Sequence, residues 1–176
     1  MKILIIGATG GTGRELVKQA LERGHTVTAL VRKPERARFS EPTASGGRPN
    51  LKIVQGNVLD YESVSRAVEG QDAVLSALGH KRWLGPTRIL SDGTKNIMRA
   101  MAQHKVSRFI CETSLGVGDS FGRLGLYYTL FTIPIILPFY FWDKGRQEAT
   151  IRASSLKWTI VRPGALNNRK GRKKYK

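Results

Sequence analysis

The chain has 176 residues, 40% of them apolar and 24% charged, which fits one domain with a sizeable core and excludes an intrinsically disordered or collagen-like chain. Its single cysteine, Cys111, excludes a disulfide scaffold and a multi-cysteine zinc site, and it favours a reducing, cytoplasmic setting. The net charge of +17 predicts attraction to phosphate groups, nucleic acids or anionic lipid without choosing among them.

Strand and helix patterns alternate along the chain. Short apolar runs predict strands over residues 2–6, 26–31, 52–55, 73–77, 108–111 and 158–161. Helical periodicity predicts helices over residues 14–23, 34–38, 61–69, 87–104 and 139–154. Strands separated by helices are joined by right-handed crossovers. The pattern therefore predicts an α/β fold: a doubly wound parallel sheet of about six strands with helices on both faces.

An uncharged segment lies between the last two predicted strands. Residues 124–142 contain no Asp, Glu, Lys or Arg, and a helix of that length would be about 28 Å long, just enough for a bilayer. Pro134 and Pro138 disfavour one straight helix. We therefore expect a buried lid, at about residues 118–142, rather than a membrane span.

The strongest chemical signal is a glycine-rich turn between the first strand and the first helix. Gly7, Gly10 and Gly13 have a G-x-x-G-x-x-G spacing. A tight turn without Cβ atoms lets the main chain approach a pyrophosphate, and the helix N-terminus offers N–H donors and a positive dipole end. This context predicts dinucleotide binding, with a ligand-free glycine turn as the alternative.

The choice of dinucleotide is predicted at the end of the second strand. An acidic residue there would bind the ribose 2′-hydroxyl of NAD, but this chain has Arg32 followed by Lys33. Arg32 can pair with a 2′-phosphate, which predicts a preference for NADP(H) over NAD(H). The alternative is that both residues are ordinary surface cations of a basic protein.

Together these segments resemble the atypical short-chain dehydrogenases/reductases. More narrowly, the sequence is similar to the NAD(P)H-binding group that includes biliverdin-IXβ/flavin reductases and NADP-sensing nitrogen-repression regulators. The matching motifs are KILIIGATGGTGR at residues 2–14, VTALVRKP at 27–34, GNVLD at 56–60, SALG at 76–79, TS at 113–114 and TIVRPG at 159–164. The resemblance covers about residues 1–166 and implies a Rossmann-like NAD(P)-binding domain.

The resemblance implies a set of cofactor-binding residues. The pyrophosphate would be wrapped by Gly7, Thr9, Gly10, Gly11, Thr12 and Gly13. Arg32 would meet the 2′-phosphate, and Asn57 and Val58 would flank the adenine. Asn57 departs from the family pattern, which usually has Asp there, but an amide can still hydrogen-bond the adenine amino group. The nicotinamide ribose would lie along Ala77, Leu78 and Gly79.

The resemblance also implies a catalytic Ser, Tyr and Lys. Ser114, Tyr140 and Lys144 occur in the expected order, and Tyr140 and Lys144 are one helical turn apart. In this scheme the tyrosine donates a proton, the lysine lowers its pKa and holds the ribose, and the serine orients a carbonyl. Alternatively, Tyr140 is one more aromatic residue of the lid. Relatives that reduce flavins or biliverdin need little acid–base help from a tyrosine.

Two functions remain as alternatives. The first is an NADPH-dependent oxidoreductase that transfers hydride to a flavin, a quinone or a tetrapyrrole-like ring under the lid. The second is a redox-silent NADP(H)-binding regulator, or a subunit or assembly factor of a larger complex. The uncharged lid and the positive charge would suit contact with a protein partner or an anionic membrane surface in that case.

The remaining residues predict little further chemistry. The histidines have no partners at metal-ligand spacing, so no metal site is expected. The basic tail at residues 167–176 has one interleaved aromatic residue, Tyr175, so a nucleic-acid interface is not predicted.

Relatives usually continue past Pro163-Gly164 into another strand and a closing helix. We therefore expect a fragment or an unusually open substrate side.

Overall fold

One parallel sheet organises the protein. The computed structural model describes residues 1–37, 39, 50–80, 85–164 and 166, so the predicted basic tail at residues 167–176 lies outside the described residues. The strands are β1 (Lys2–Ile6), β2 (Thr26–Val31), β3 (Leu51–Gln55), β4 (Ala73–Ser76), β5 (Arg108–Glu112) and β6 (Lys157–Val161). They pair in parallel in the order β3-β2-β1-β4-β5-β6. This order confirms the predicted doubly wound sheet.

Helices connect the strands. They are α1 (Gly11–Glu22), α2 (Tyr61–Val68), α3 (Ile89–Gln103) and α4 (Pro138–Arg152). Short 3₁₀ turns occur at Pro34–Arg36, where a longer helix was predicted, and at Gly118–Ser120, and π-helical turns occur at Tyr128–Ile136. Helix α1 begins three residues earlier than predicted, because its first turn is built from residues 11–13 of the glycine turn.

The two faces of the sheet carry different helices, as predicted. On one face α1 packs over β1 and β2, and Val17 and Ala20 of α1 join Ile5 and Val27 in one core cluster. On the other face α2, α3 and α4 cover the sheet. The second core cluster includes Leu4, Val64, Val74, Ile97, Met101, Phe109 and Ile151. Burial of both faces explains why the central strands β1, β2 and β4 are nearly continuous apolar runs.

The segment at residues 118–142 is largely exposed, and the expectation that it is buried was wrong. Leu126, Tyr127 and Ile135 are 79%, 68% and 70% exposed. Among the large apolar side chains of this segment that the structure describes, only that of Ile133 lies in the core. The physical reason is that the helical turns at Tyr128–Ile136 carry apolar residues on every side. Packing one side of these turns against the fold therefore leaves the other sides in contact with water. Among the described residues, no helix combines the length and hydropathy that crossing a bilayer requires.

Candidate functional site

The loops that follow the strands meet at the carboxyl-terminal edge of the sheet. β1 lies between β2 and β4, so the strand order reverses on either side of β1. In open α/β sheets, ligands bind in the crevice outside the carboxyl ends of the strands at such a point. The predicted site residues at this edge are those of the glycine turn after β1, Arg32 after β2, Asn57 and Val58 after β3, Ala77, Leu78 and Gly79 after β4, and Ser114 after β5.

Two glycines of the turn are required by packing alone. Gly7 has a φ of +79°, and a Cβ there would lie 2.7 Å from the carbonyl carbon of Ala77. A Cβ on Gly13 would lie 2.7 Å from the Cα of Ala8, across the same turn. Gly7 and Gly13 therefore hold β1, β4 and α1 close together whether or not a ligand binds.

Gly10 and Gly11 instead leave the start of α1 open. Both residues are exposed, and a Cβ on Gly11 would meet nothing within 4 Å. Gly10 is the N-cap of α1, offers no side-chain acceptor, and no acidic residue follows in the first turn. The first N–H groups of the helix thus lack a cap from the chain itself. They fit a pyrophosphate, which would accept those hydrogen bonds at the positive end of the helix dipole, with exposed Thr9 beside it.

The residues after β2 and β3 lie where the adenosine half of a bound dinucleotide would reach them. Arg32 is exposed next to the strand that flanks the glycine turn. Asn57 is also exposed, and its Oδ1 accepts a hydrogen bond of 3.1 Å from the Leu59 amide. Val58 differs, because its side chain is buried and would contact a Cβ on Gly93. An adenine contact at residue 58 would therefore have to come from the main chain.

Lys144 joins α4 to the ends of β4 and β5. Its Nζ donates to the carbonyl of Glu112 at 3.1 Å and to that of Leu78 at 3.4 Å. The side chain is buried, and burial lowers the pKa of Lys144, although the neighbouring Cys111 and acidic groups oppose the shift. A lysine ammonium is thus fixed at the edge where the resemblance places the nicotinamide ribose.

Tyr140 lies beside Lys144, as its spacing predicted. The Lys144 Nζ is 5.6 Å from the centroid of the Tyr140 ring, and His80 packs edge-on against that ring at 5.1 Å. Burial raises the pKa of Tyr140, and the carboxylates of Glu112 and Asp143 raise it further. This direction is opposite to the lowered pKa that the family scheme requires of a proton-donating tyrosine.

Ser114 is half-buried in the loop after β5. Its hydroxyl donates to the Leu115 carbonyl at 3.1 Å, and the preceding Thr113 donates to Glu148 at 2.6 Å. The loop therefore attaches to α4 through Thr113 rather than through Ser114. The structure places Ser114 two residues beyond Glu112, whose carbonyl binds Lys144.

Buried polar residues of α4 were missed in the sequence. Asp143 is fully buried and accepts hydrogen bonds from the Leu90 and Ser91 amides, at 2.9 and 3.0 Å, so it caps α3 from a neighbouring helix. Glu148 is paired with Arg162, next to the turn after β6. Burial alone would raise the pKa of Glu148, but the hydrogen bonds from Arg162 and Thr113 hold it below its ordinary value. The signal was their helical spacing with buried Ile151, which places all of them on the inward face.

Glu112 was also missed, and it connects the two halves of the site. Its carbonyl binds Lys144, while its carboxylate accepts a hydrogen bond of 3.2 Å from the Thr12 hydroxyl of the glycine turn. Glu112 also lines a mostly apolar cavity of about 260 Å³ between α1 and the last three strands. The lining residues are Thr12, Leu16, Leu75, Ser76, Ile110, Glu112, Val161, Pro163 and Leu166. The described residues include no group of three His, Cys, Asp or Glu side chains placed to hold a metal ion.

Sequence comparison identifies relatives along most of the chain. A family model described as NAD(P)H-binding matches residues 7–176. An uncharacterized chloroplastic protein of Arabidopsis thaliana is 32% identical, over 95% of this chain and 60% of that protein. The chloroplastic protein TIC 62 of Pisum sativum is 31% identical, over 93% of this chain and 32% of its own length. The photosystem II assembly factor Ycf39 of Synechocystis is 33% identical, over 62% of this chain and 32% of that protein. The chain thus spans less than two thirds of the length of each of these three relatives.

Solved structures share the fold. ChuY, an anaerobilin reductase from Escherichia coli O157:H7, superposes with a TM-score of 0.72 at 22% identity, over 93% of this chain and 73% of that chain. A short-chain dehydrogenase/reductase from Veillonella parvula in complex with NADP has a TM-score of 0.70 at 17% identity, over 92% and 68% of the two chains. At the carboxyl edge of this Rossmann-type sheet the open glycine turn fits a dinucleotide. The chain belongs to the NAD(P)H-binding family, which confirms the resemblance to the atypical short-chain dehydrogenases/reductases.

Proposed function

We propose that the protein is an NADPH-dependent reductase that transfers a hydride to a flat, partly apolar acceptor: a flavin, a quinone or a tetrapyrrole-like conjugated ring. The observation that carries this proposal is the position of Lys144. Its buried ammonium is tied to the carbonyls of Leu78 and Glu112 at the ends of β4 and β5. A fixed cation at this edge can hold the ribose and place the nicotinamide, and positioning is the main requirement for hydride transfer between two rings. Bound NADPH would supply the hydride.

The cofactor-binding roles follow from where the residues lie. In this proposal the open N-terminus of α1 binds the pyrophosphate through the amides of residues 11–13, and Arg32 pairs with the 2′-phosphate. Asn57 hydrogen-bonds the adenine. The main chain of residues 77–79 runs along the nicotinamide ribose, because the Leu78 carbonyl accepts a hydrogen bond from the Lys144 ammonium that would hold this ribose. The exposure of Arg32 and the absence of an acidic residue at the end of β2 support a preference for NADPH over NADH.

The surroundings of Tyr140 support a conjugated ring as the acceptor rather than a simple carbonyl. A carbonyl becomes an alkoxide and needs a proton from a nearby acid. Burial and two carboxylates make Tyr140 a weaker acid than usual, since they penalise its phenolate. A reduced flavin or quinone can delocalise the charge and take its proton from water. Tyr140 then packs against the acceptor, and Ser114 orients it.

The test is NADPH oxidation with a panel of flavins, quinones, biliverdin and simple aldehydes or ketones. We expect turnover with at least one conjugated ring and little with the carbonyls. Lys144→Met should lower kcat/KM by about tenfold or more, which is about 1.4 kcal/mol, whereas Lys95→Met on the exposed side of α3 should leave it unchanged. Equal activity of both variants would exclude the role given to Lys144.

A redox-silent NADP(H)-binding regulator, subunit or assembly factor is the second candidate. The exposed apolar segment at residues 121–142 favours it, because so much uncovered apolar surface marks an interaction site. Tight NADPH binding without turnover on the whole panel would select this candidate. The single cysteine supports a reducing, cytoplasmic location for either candidate, with peripheral contact to a larger complex or membrane, and fractionation of cells tests that location.

A further inference from the structure

One part of the surface combines exposed apolar side chains with a firm attachment to the fold. These side chains are Phe121, Leu126, Tyr127, Leu130, Phe131, Ile135, Phe139 and Trp142, all between 41% and 79% exposed. We refer to them as the apolar surface. Beneath them Leu124, Ile133 and Phe141 converge on Gly116, whose Cβ would lie within 2.8 to 3.3 Å of their side chains. The apolar surface is thus packed onto the loop after β5.

The acidic side chains around the apolar surface all have hydrogen-bond or ion-pair partners. Asp119 pairs with Arg152 and Arg162 at 3.1 and 2.7 Å. Asp143 is buried and accepts main-chain amides of α3, and Glu148 is buried against Arg162. No carboxylate of residues 113–152 is therefore both exposed and without a partner.

Cations border the same surface. Arg123 and Arg88 are exposed, and Arg146 stacks over the Trp142 ring with its Cζ 4.8 Å from the ring centroid. Within the described residues none of the three arginines has an acidic partner. Arg88 is close because it directly precedes α3, whose first amides bind Asp143. The apolar surface is thus rimmed by positive charge on a chain with a net charge of +17.

We propose that the apolar surface seats the protein in the interface of a lipid bilayer that contains anionic phospholipid. Aromatic and aliphatic side chains would enter the boundary between head groups and acyl chains, while Arg88, Arg123 and Arg146 would meet the lipid phosphates. The segment would lie in the plane of the membrane, because its π-helical part is only nine residues long and contains Pro134. The charge favours lipid over a neutral protein groove. This inference goes beyond the proposed reduction and holds for any acceptor.

Sedimentation with vesicles tests the proposal. The full chain should bind vesicles of phosphatidylcholine mixed with phosphatidylglycerol at least about tenfold more tightly than vesicles of phosphatidylcholine alone. The variant F131D/I135D should lose that binding by about tenfold or more. The matched control I53D/L59D changes the net charge equally at exposed apolar residues of another region and should bind almost as tightly as the parent chain. Equal losses in the two variants would overturn the proposal.

A second measurement avoids dependence on the folding of the aspartate variants. In a W83F/W158F chain, Trp142 is the remaining tryptophan, and its fluorescence should shift to shorter wavelength on anionic vesicles and be quenched by lipids brominated on the acyl chain. An unchanged Trp142 spectrum would overturn the proposal even if the chain sediments, because it would show binding through charge alone. Failure of the parent chain to bind any vesicle would also overturn it and would leave a protein as the partner of this surface.

Discussion

The glycine turn and helix α4 form two sides of the same crevice, but the turn contributes main-chain groups and the helix contributes side chains. The turn offers exposed main chain, with Gly10 and Gly11 open to solvent. Helix α4 offers buried polar side chains, with Asp143, Lys144, Gln147 and Glu148 all at most 3% exposed. Changes at Gly10 or Gly11 can therefore remove ligand binding without unfolding the protein, whereas changes to the buried polar residues of α4 alter stability and function together.

This difference follows from where the hydrogen-bond partners lie. Asp143 binds residues 52 and 53 positions away, and Gln147 donates to Thr94, also 53 positions away. Each such group would cost about 1–3 kcal/mol if it were left buried without a partner. The open amides of α1 carry no such cost, because water can bind them when no ligand does.

The largest expected effect is at Gly10. Replacing Gly10 with Val should weaken NADPH binding by about 100-fold or more, about 2.7 kcal/mol, because the side chain would occupy the space where a phosphate approaches. The fold should survive, since a Cβ on Gly10 would meet only the Gly7 carbonyl oxygen, at 3.3 Å. Titration calorimetry measures the affinity and circular dichroism the fold. Gly145→Val, where a Cβ meets nothing within 4 Å, is the control. Normal NADPH binding by Gly10→Val would show that the turn is only structural.

The next effect concerns the choice of cofactor. Arg32→Asp should weaken NADPH binding by about 1–3 kcal/mol, the value of a charge-assisted contact, and leave NADH binding nearly unchanged. Arg23→Asp, at the exposed far end of α1, makes the same charge change away from the edge and should alter neither affinity. Equal affinities of the parent chain for NADPH and NADH would contradict the role given to Arg32.

A smaller effect should appear in the stability of the α4 side. Burial lowers the pKa of Lys144, so the unfolded chain binds its proton more tightly than the folded one. The charged lysine therefore destabilises the fold at neutral pH, and this penalty disappears as the pH rises from the lowered pKa toward the ordinary value of 10.5. Denaturant unfolding should show Lys144→Met gaining stability relative to the parent at neutral pH and losing that advantage near pH 10.5. A difference that does not change with pH would mean that Lys144 is not charged and buried.

The smallest effect is expected at Tyr140. With a flavin or quinone as acceptor, Tyr140→Phe should change kcat by no more than about twofold, since the reduced ring takes its proton from water. With a carbonyl acceptor, loss of the proton donor should lower kcat by about 10²–10⁴-fold. Steady-state rates on both acceptor classes decide between them. A large loss on a conjugated ring would restore the acid role of Tyr140.

Much of the fold could be read from local patterns. Strands buried on both faces are short apolar runs in the sequence. Gly7 and Gly13, where a side chain would clash with the main chain, stand at a recognisable spacing. Tyr140 and Lys144 are neighbours because a helix brings residues four apart onto one face. Each of these features depends on residues close together in the chain.

Tertiary structure alone decided the surroundings of those residues. A segment that is apolar on every side does not indicate which side packs, so the exposed part of residues 118–142 is set by how much surface the loop after β5 offers. The raised pKa of Tyr140 comes from burial and from Glu112 and Asp143, and the buried charge of Glu148 depends on Arg162 in another element. A local pattern specifies backbone conformation, but the burial and charge around a side chain depend on residues that the fold brings from far along the chain.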